Sequence, residues 1–424
     1  MILSNGFLVD YKSKVIEKKD MRIESGKIIE IEDQILPVEN ERVIDLAGKY
    51  MVPSFFDMHV HFREPGLSYK ETIYDGSRAA AKAGYTGVCM MPNTKPIVDS
   101  QEVIDELKTL IARDAILETR IVGAITKGEK GKELADFAMY KKNHVIALSD
   151  DGVNVDSSEI LREALKNAKP FVLPLLLHCE DMTYRQGCIH QGLVAEMFGL
   201  EGIPSHTEYR IIAENIELAK NENSALHICH ISCKESVDII RKAKSENIKI
   251  SCEVTPNHLI LDESAFIKSK NKAKINPPLR SLEDKKALVE GLVDGTIDVI
   301  ATDHAPHSQE EKARDFKEAP FGMSSIDIAP QLIYTNFVKT NQISLFDMIR
   351  VLSISPREIL GLKPSFNQVG DQADIAVLDL ENAFEVCEED WISKGKNTVF
   401  FGEKLYGKNK LTLLNGQIIY EGEI

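Results

Sequence analysis

The middle of the chain alternates short apolar runs with longer stretches of helical periodicity, and this alternation restricts the fold more than any other feature. The predicted strands are residues 50–60, 86–91, 118–124, 145–148, 172–178, 225–230, 249–254 and 298–301. Helical stretches such as "SQEVIDELKTLIARD" and "CKESVDIIRKAKSE" lie between them. Eight strand–helix units over roughly 250 residues or more have the size and order of a TIM-like (β/α)8 barrel, so we predict an α/β fold of this kind.

A doubly wound open sheet fits the same alternation and stays open as an alternative. Its nucleotide-binding forms lose support because no GxGxxG or GxxxxGK[ST] motif follows a predicted strand. The two ends of the chain differ from the middle. They carry short alternating strands with tight turns, as in "DMRIESGKIIEIE" and "LTLLNGQIIYEGE". We therefore predict one small β-sandwich built from residues 1–50 and 363–424, beside a barrel of residues 51–362.

Charge and composition disfavour several classes of protein. The formal net charge of −15 makes nucleic-acid binding a poor fit. The sequence has no apolar run long enough for a membrane span and no apolar signal segment at its start. The seven cysteines are scattered without a CxxC pair, which is typical of reduced thiols in the cytoplasm. We expect a cytoplasmic protein that binds neither nucleic acid nor membrane.

Polar side chains gather where the predicted strands end, which is the face where barrel active sites are built. The candidates are His59, His61, Asn93, Asp150, Asp151, His178, His230, Thr255, Asn257, His258, Asp303, His304 and His307. Residues two apart on a strand face the same side, so His59 and His61 project together. The histidines at 144, 190, 206 and 227 lack such a position or a partner, and we interpret them as surface or packing residues.

A metal centre explains this set best, with a buried polar cluster that holds no metal as the alternative. Imidazole and carboxylate together suit Zn²⁺, and also Mn²⁺, Fe²⁺ or Co²⁺. Four histidines at the ends of strands 1, 5 and 6 (His59, His61, His178 and His230) and an aspartate after each of strands 4 and 8 make six candidate ligands, which is more than one tetrahedral ion needs. The surplus predicts two ions that share a carboxylate.

These residues also carry a resemblance to a known family. "DMHVHFREPG", "MPNTKP", "SDDG", a lone histidine after strand five, "CHIS", "INPPLR" and "ATDHAPH" resemble the cyclic amidohydrolase superfamily. Within it, the chain is similar to the dihydroorotases of the bacterial type related to allantoinases and hydantoinases. The HxHxR start marks only the superfamily, whereas the joint occurrence of the other motifs is specific. The resemblance runs nearly end to end.

The resemblance implies the reversible conversion of N-carbamoyl-L-aspartate into L-dihydroorotate and water in pyrimidine biosynthesis. Two alternatives stay open. One is a hydantoinase-like or allantoinase-like cyclic amidase. The other is an inactive dihydroorotase-like chain that serves as a structural partner of aspartate transcarbamoylase. A homodimer and an association with aspartate transcarbamoylase are compatible with the resemblance.

The resemblance further implies roles for individual residues. His59, His61 and Asp303 would bind one zinc ion, His178 and His230 would bind a second, and Asp151 would be shared. Spacing alone does not choose between Asp150 and Asp151 as the shared ligand, and we choose Asp151. The implied substrate-binding residues are His61, Arg63, Asn93, Asn276, His307, Phe321 and Gly322. Hydantoinases, allantoinases and several dihydroorotases carry a carbamylated lysine where this chain has an aspartate, which favours the branch of dihydroorotases that has aspartate there.

Three expectations follow from the chemistry. Asp303 is expected to move a proton between the attacking water and the leaving nitrogen. If the extended strand persists past His61, Arg63 lies on the same face and grips the unreactive α-carboxylate of the substrate; the alternative is a solvent-facing arginine paired with Glu64. The long charged segment 307–322 is predicted to be either a lid or a plain solvated loop.

Overall fold

The computed structural model of the chain describes residues 1–155, 157–184 and 186–423. The strands in these ranges are β1 (Ile2–Asp10), β2 (Val15–Glu24), β3 (Lys27–Glu32), β4 (Val43–Asp45), β5 (Tyr50–Pro53), β6 (Phe55–Val60), β7 (Tyr85–Met90), β8 (Glu118–Gly123), β9 (Ala147–Leu148), β10 (Leu176–Leu177), β11 (Ile189–His190), β12 (Gly202–Ile203), β13 (Leu226–Ile228), β14 (Ile250–Val254), β15 (Val299–Ile300), β16 (Ile375–Asp379), β17 (Phe384–Glu385), β18 (Lys404–Leu405), β19 (Lys408–Leu414) and β20 (Gln417–Glu421).

The α-helices in the same ranges are α1 (Ile73–Ala83), α2 (Gln101–Asp114), α3 (Phe137–Lys142), α4 (Ser158–Ala168), α5 (Leu193–Phe198), α6 (His206–Asn221), α7 (Lys234–Ser245), α8 (Pro256–Ile260), α9 (Ala265–Ser269), α10 (Leu282–Val293), α11 (Gln309–Lys312), α12 (Ala329–Ile333), α13 (Leu345–Ile349) and α14 (Ser355–Ile359). Two π-helical segments, Tyr334–Val338 and Arg350–Ile354, directly follow α12 and α13.

Eight parallel strands close into a barrel. β6, β7, β8 and β9 form one four-stranded sheet in chain order, and β10, β13, β14 and β15 form a second. Parallel bridges between Leu148 and Leu175 and between Val60 and His304 join the two sheets at both seams. The predicted (β/α)8 barrel is therefore confirmed, and the open-sheet alternative is wrong because both seams are paired.

The barrel strands read as continuous apolar runs because both of their faces are covered. β6 and β7 are buried at every position. The first covering helix, α1, is capped at its N-terminus by Thr72, whose side chain accepts a hydrogen bond from the Asp75 amide. Its C-cap is Gly84, which has a left-handed backbone with φ of 104°. A Cβ atom at this position would lie 3.1 Å from the Phe55 ring, so both the backbone conformation and the available space favour glycine. These local signals place α1 directly after the loop that carries the HxHxR motif.

Strands from both termini build a further sheet, separate from the two sheets of the barrel, as predicted. Its order is β20-β19-β16-β5-β1-β2-β3, and β4 also pairs with β1. The predicted strand 50–60 is wrong as a single element, because β5 pairs with β1 and β16 in the terminal sheet whereas β6 joins the barrel. The terminal sheet thus extends past residue 50. The division into residues 1–50, 51–362 and 363–424 stays a prediction.

One part of the C-terminal region leaves the terminal sheet and packs on the barrel. β17 and β18 pair only with each other in the described sheets. Between them, the buried side chains of Trp391 and Phe400 pack with Ile275 and Met323. This segment therefore approaches the end of the barrel where the polar residues gather. Among the described residues, no helix combines the length and apolar character needed to cross a membrane.

Candidate metal-dependent active site

A cavity of about 210 Å³ opens at the carboxyl ends of the barrel strands. All the residues that were given a metal-binding or substrate-binding role, except His59, line it: His61, Arg63, Asn93, Asp151, His178, His230, Asn276, Asp303, His307, Phe321 and Gly322. The other strand-end candidates, Asp150, Thr255, Asn257, His258 and His304, are not among the lining residues. His59 lies in β6 and is fully buried. The structure therefore brings together residues that are up to about 260 positions apart in sequence, as the barrel topology requires.

Two groups of potential ligand atoms meet at Asp151. One group is His59, His61 and Asp151, the other is Asp151, His178 and His230, and the atoms of each group lie within 4.8 Å of one another. Asp151 Oδ1 is 3.3 Å from His59 Nε2 and 3.6 Å from His230 Nε2. Asp303 Oδ1 lies 2.9 Å from His61 Nε2 and 3.6 Å from His59 Nε2. Two adjacent three-atom groups that share one carboxylate are the arrangement expected of a two-metal centre.

The unpaired atoms of this cluster support the same interpretation. His59 Nε2 and Asp151 Oδ1 are buried and have no hydrogen-bond partner among the described residues. Buried polar atoms are nearly always satisfied, so an unpaired nitrogen and an unpaired carboxylate oxygen that face each other call for a missing partner. A divalent cation satisfies both, and the donor set of imidazole and carboxylate fits Zn²⁺.

The neighbouring Asp150 points away from the cluster. Its Oδ1 accepts hydrogen bonds from the Ile125 and Thr126 amides at 2.8 and 3.0 Å, and its Oδ2 accepts one from Thr126 Oγ1 at 2.5 Å. Asp150 therefore holds the turn after β8. The structure places Asp151 among the histidines, and its role as a ligand stays a prediction.

Each of three candidate ligand histidines is held by a polar partner on its other ring nitrogen. His59 Nδ1 is 2.6 Å from Glu253 Oε1, and His178 Nε2 is 2.9 Å from Glu180 Oε2. His61 Nδ1 is 2.9 Å from Asn93 Oδ1. Such partners fix the tautomer and the ring orientation of a metal-binding histidine. We therefore infer that His59 and His61 face the cluster through Nε2 and that His178 faces it through Nδ1.

Neither Glu253 nor Glu180 was predicted as a site residue from the sequence. Glu253 is buried in β14 and also contacts His227 Nε2 at 3.1 Å, so His227 belongs to the support of the site rather than to ordinary packing. Burial raises the pKa of Glu253, but the charges and hydrogen bonds of His59 and His227 outweigh it and hold that pKa well below its usual range. A lone charged residue inside the apolar run "ISCEV" was the available signal.

Arg63 reaches the cavity by a different route from the one predicted. β6 ends at Val60, and Arg63 has a left-handed backbone with φ of 62°. The expectation of a continued extended strand is wrong. The guanidinium nonetheless lines the cavity, where its Nε donates to the Pro306 carbonyl at 3.2 Å. The alternative pairing with Glu64 has no support, since Glu64 accepts a hydrogen bond from the Ile73 amide instead.

His307 is held as a neutral imidazole. Its Nε2 is 2.7 Å from the Phe321 carbonyl, which can only accept, so Nε2 carries the hydrogen. Its Nδ1 is 3.2 Å from Lys70 Nζ, which can only donate, so Nδ1 is the acceptor. Burial, together with the charges of Arg63 and Lys70, lowers the pKa of His307 well below its usual value. Lys70 was not predicted as a site residue, because it lies in a loop with no motif around it.

Asn276 and the segment 307–322 complete the cavity wall. Asn276 Nδ2 donates to Glu180 Oε2 at 2.9 Å, so Glu180 links this amide to His178. In the segment 307–322, Lys312 Nζ donates to the carbonyls of Asn271, Lys274 and Pro320 at 2.8, 3.2 and 3.0 Å. The segment is thus tied to residues 271–274. The choice between a lid and a solvated loop stays a prediction.

A closed parallel barrel with a shared aspartate between two histidine groups at its strand ends defines a protein of the amidohydrolase class. Solved structures with the same fold include the L-hydantoinase (dihydropyrimidinase) of Arthrobacter aurescens, with a TM-score of 0.88, 24% identity and coverage of 100% of this chain and 96% of that one. The dihydropyrimidinase of Brevibacillus agri NCHU1002 aligns with a TM-score of 0.86 and 21% identity over 99% of this chain and 95% of that one. At these identities the likeness shows the fold alone.

The sequence relatives are more specific. Residues 48–236 match the family described as "Dihydro-orotase-like". A dihydroorotase of Macrococcus caseolyticus is 45% identical over 95% of this chain and 95% of its own length. A dihydroorotase of Bacillus cytotoxicus is 42% identical over 100% of this chain and 98% of its own length. The chain belongs to the dihydroorotase family.

Proposed function

We propose that this protein catalyses the reversible interconversion of N-carbamoyl-L-aspartate and L-dihydroorotate, with two bound Zn²⁺ ions. The observation that carries the proposal is the pair of histidine groups that share Asp151 on one wall of a cavity, with the Arg63 guanidinium on the same cavity. The first feature suits hydrolysis of an amide. The second suits a substrate that keeps one unreactive carboxylate.

His59, His61 and Asp303 would hold one ion, His178 and His230 would hold the other, and Asp151 would be shared. The unpaired His59 Nε2 and Asp151 Oδ1 support this assignment. Bound Zn²⁺ supplies Lewis-acid polarisation of the carbonyl and lowers the pKa of a coordinated water to about 7. The partners Glu253, Glu180 and Asn93 keep three of the histidines in the required orientation.

Asp303 is the proposed proton carrier. Its carboxylate lines the cavity and lies 2.9 Å from His61 Nε2. The positive charge of a bound ion beside it would keep this carboxylate ionised, so that it can accept a proton. In hydrolysis it takes a proton from the attacking water and gives it to the ring nitrogen as the amide bond breaks. In ring closure it takes the proton of the carbamoyl nitrogen as the C–N bond forms and returns it to the departing carboxylate oxygen, which leaves as water after a second proton arrives from solvent.

His307 is a poor substitute for Asp303, because both of its ring nitrogens are committed to Phe321 and Lys70. We assign it to substrate binding instead. Arg63 would grip the α-carboxylate of the substrate, and His61, Asn93, Asn276, Phe321 and Gly322 would complete the contacts. A hydantoin has no such carboxylate and would not need Arg63, which favours dihydroorotate over the hydantoinase alternative.

The test is a substrate panel on purified protein whose metal content is measured on the same sample. L-dihydroorotate, N-carbamoyl-L-aspartate and hydantoin are assayed in parallel. We expect turnover of the first two with two metal ions per chain. Faster hydrolysis of hydantoin than of dihydroorotate would favour the hydantoinase alternative. A fully metallated protein without turnover of any of the three would favour the structural-partner alternative.

The cellular setting is part of the same proposal. All seven cysteines are free thiols, six of them buried, which suits a reducing cytoplasm. We also propose a homodimer and an association with aspartate transcarbamoylase. Size-exclusion chromatography with light scattering, alone and with added aspartate transcarbamoylase, checks both.

A further inference from the structure

A buried side-chain amide from the C-terminal region reaches the part of the cavity wall that is formed by His307, Phe321 and Gly322, here called the substrate wall. Asn397 lies between β17 and β18, in the segment that packs on the barrel, and only 3% of the residue is exposed. Asn397 is not one of the residues that line the cavity. Its four side-chain hydrogen bonds nevertheless all reach the two chain segments that carry the substrate wall.

The hydrogen bonds of Asn397 use both ends of its amide. Oδ1 accepts from the His307 amide at 2.9 Å and from Ser324 Oγ at 2.9 Å. Nδ2 donates to the carbonyls of Ala305 and Gly322 at 3.1 and 3.0 Å. Two carbonyls on one side and a backbone amide on the other fix which end is nitrogen. An amide is therefore required here, since a carboxylate has no hydrogen to donate.

These partners stand at the two ends of the segment 307–322. Ala305, His307 and Gly322 line the cavity. The ends are also joined by the Ala305 amide, which donates to the Met323 carbonyl at 3.0 Å, and by His307 Nε2, which donates to the Phe321 carbonyl at 2.7 Å. Asn397 also accepts a hydrogen bond from the Ser324 amide through its own carbonyl at 3.1 Å. Asn397 thus contributes four side-chain bonds to the spacing between the start and the end of the segment that presents His307, Phe321 and Gly322.

We propose, on the basis of the function proposed above, that Asn397 is a positioning residue that holds the substrate wall of the cavity in its binding geometry. It acts through His307 and Gly322 and does not touch the substrate. Of the proposed metal ligands only Asp303 is near, two residues before Ala305, whereas His59, His61, Asp151, His178 and His230 lie elsewhere in the chain. We therefore expect Asn397 to affect substrate binding and to leave metal binding largely unchanged. Displacements of about 1 Å in a binding wall can lower activity by about 100-fold.

The test compares Asn397→Asp and Asn397→Ala with the matched control Asn409→Ala. Asn409 is an equally buried asparagine of β19, and its Nδ2 donates to the Lys82 carbonyl and to Thr412 Oγ1, away from the cavity. We expect both Asn397 variants to raise KM for dihydroorotate by roughly 10- to 100-fold, with a smaller change in kcat and unchanged metal content. The control should keep the wild-type KM even if its melting temperature falls.

Wild-type KM in a folded Asn397→Asp variant overturns the inference, as does an equal rise in the Asn409 control. If neither Asn397 variant folds, Ser324→Ala replaces them, because it deletes one bond to the same Oδ1. A rise in KM of about twofold to fivefold then supports the inference, and an unchanged KM overturns it. Wild-type protein without dihydroorotase turnover would instead count against the proposed function, so the two failures are distinguishable.

Discussion

The metal-binding side and the substrate-binding side of the cavity are built in different ways. On the metal side, His59, His178 and His230 lie on barrel strands or within two residues of their ends. On the substrate side, Arg63 and His307 lie in loops. Lys70 donates to the His307 ring, and the His307 amide donates to Asn397 Oδ1. Strand ends give fixed positions that the chain direction dictates, whereas the loop side depends on long-range contacts. Substitutions on the two sides should therefore fail differently, the first in turnover or metal content and the second in KM.

The largest effect is expected from Asp303→Asn on the metal side. Asparagine keeps the shape but cannot accept and return a proton, so we expect kcat to fall by about 10²- to 10⁴-fold in both directions with the fold intact. Metal per chain and kcat are measured on the same preparation, with and without added Zn²⁺. Asp298→Asn is the control, since Asp298 precedes β15 and pairs with Lys244. Near-normal turnover of the fully metallated Asp303 variant would remove the proton role.

Arg63→Lys should give an intermediate effect on the substrate side. Lysine keeps the charge but loses the bidentate fork, and hydrogen bonds to charged groups contribute about 1.5–3 kcal/mol. We expect kcat/KM for dihydroorotate to fall by roughly 10- to 100-fold while metal content stays at the wild-type level. Arg241→Lys, at a surface ion pair with Asp238, serves as the control. Unchanged kinetics would reject Arg63 as the carboxylate anchor.

Lys70→Met should give the smallest effect and a change in pH dependence. Removing the ammonium takes away a positive charge and the donor to His307 Nδ1, so the lowered pKa of His307 should rise toward its usual value. His307 then gains a proton at a higher pH than in the wild type. We expect KM to rise a few-fold, which corresponds to the loss of about one hydrogen bond. The further rise of KM toward acid pH should begin at a higher pH in this variant than in the wild type. Lys285→Met, which removes an ion pair with Asp262 away from the cavity, should leave the pH profile unchanged.

The same contrast explains what the sequence could predict. The barrel and the clustering of His59, His61, His178 and His230 follow from hydrophobic alternation, because parallel strands end on one face. The backbone conformations of Arg63, His230 and Asp303 could not be predicted. Each has a positive φ, of 62°, 31° and 45°, which strand alternation does not describe.

The residues that support the site could not be predicted from the sequence for a second reason. Glu253, Lys70 and Asn397 act through contacts with residues 194, 237 and 90 positions away along the chain. No local pattern encodes such distances. The predicted strand 172–178 shows a further limit, since only Leu176–Leu177 is a strand and Val172 is 80% exposed with a left-handed backbone. Tertiary context outweighed the β-propensity of the valine.

Metal content in Asp151→Ala and Asp150→Ala tests most directly the claim that one carboxylate is shared by two ions. Asp151 faces three candidate ligand histidines, whereas Asp150 is bound to the turn at Thr126. We expect wild-type protein to hold two ions per chain and Asp151→Ala to lose metal, the ion held by His178 and His230 first. Asp150→Ala should keep its metal even if its stability falls. Loss of metal from Asp150→Ala instead of Asp151→Ala, or full metal content in Asp151→Ala, would contradict this claim.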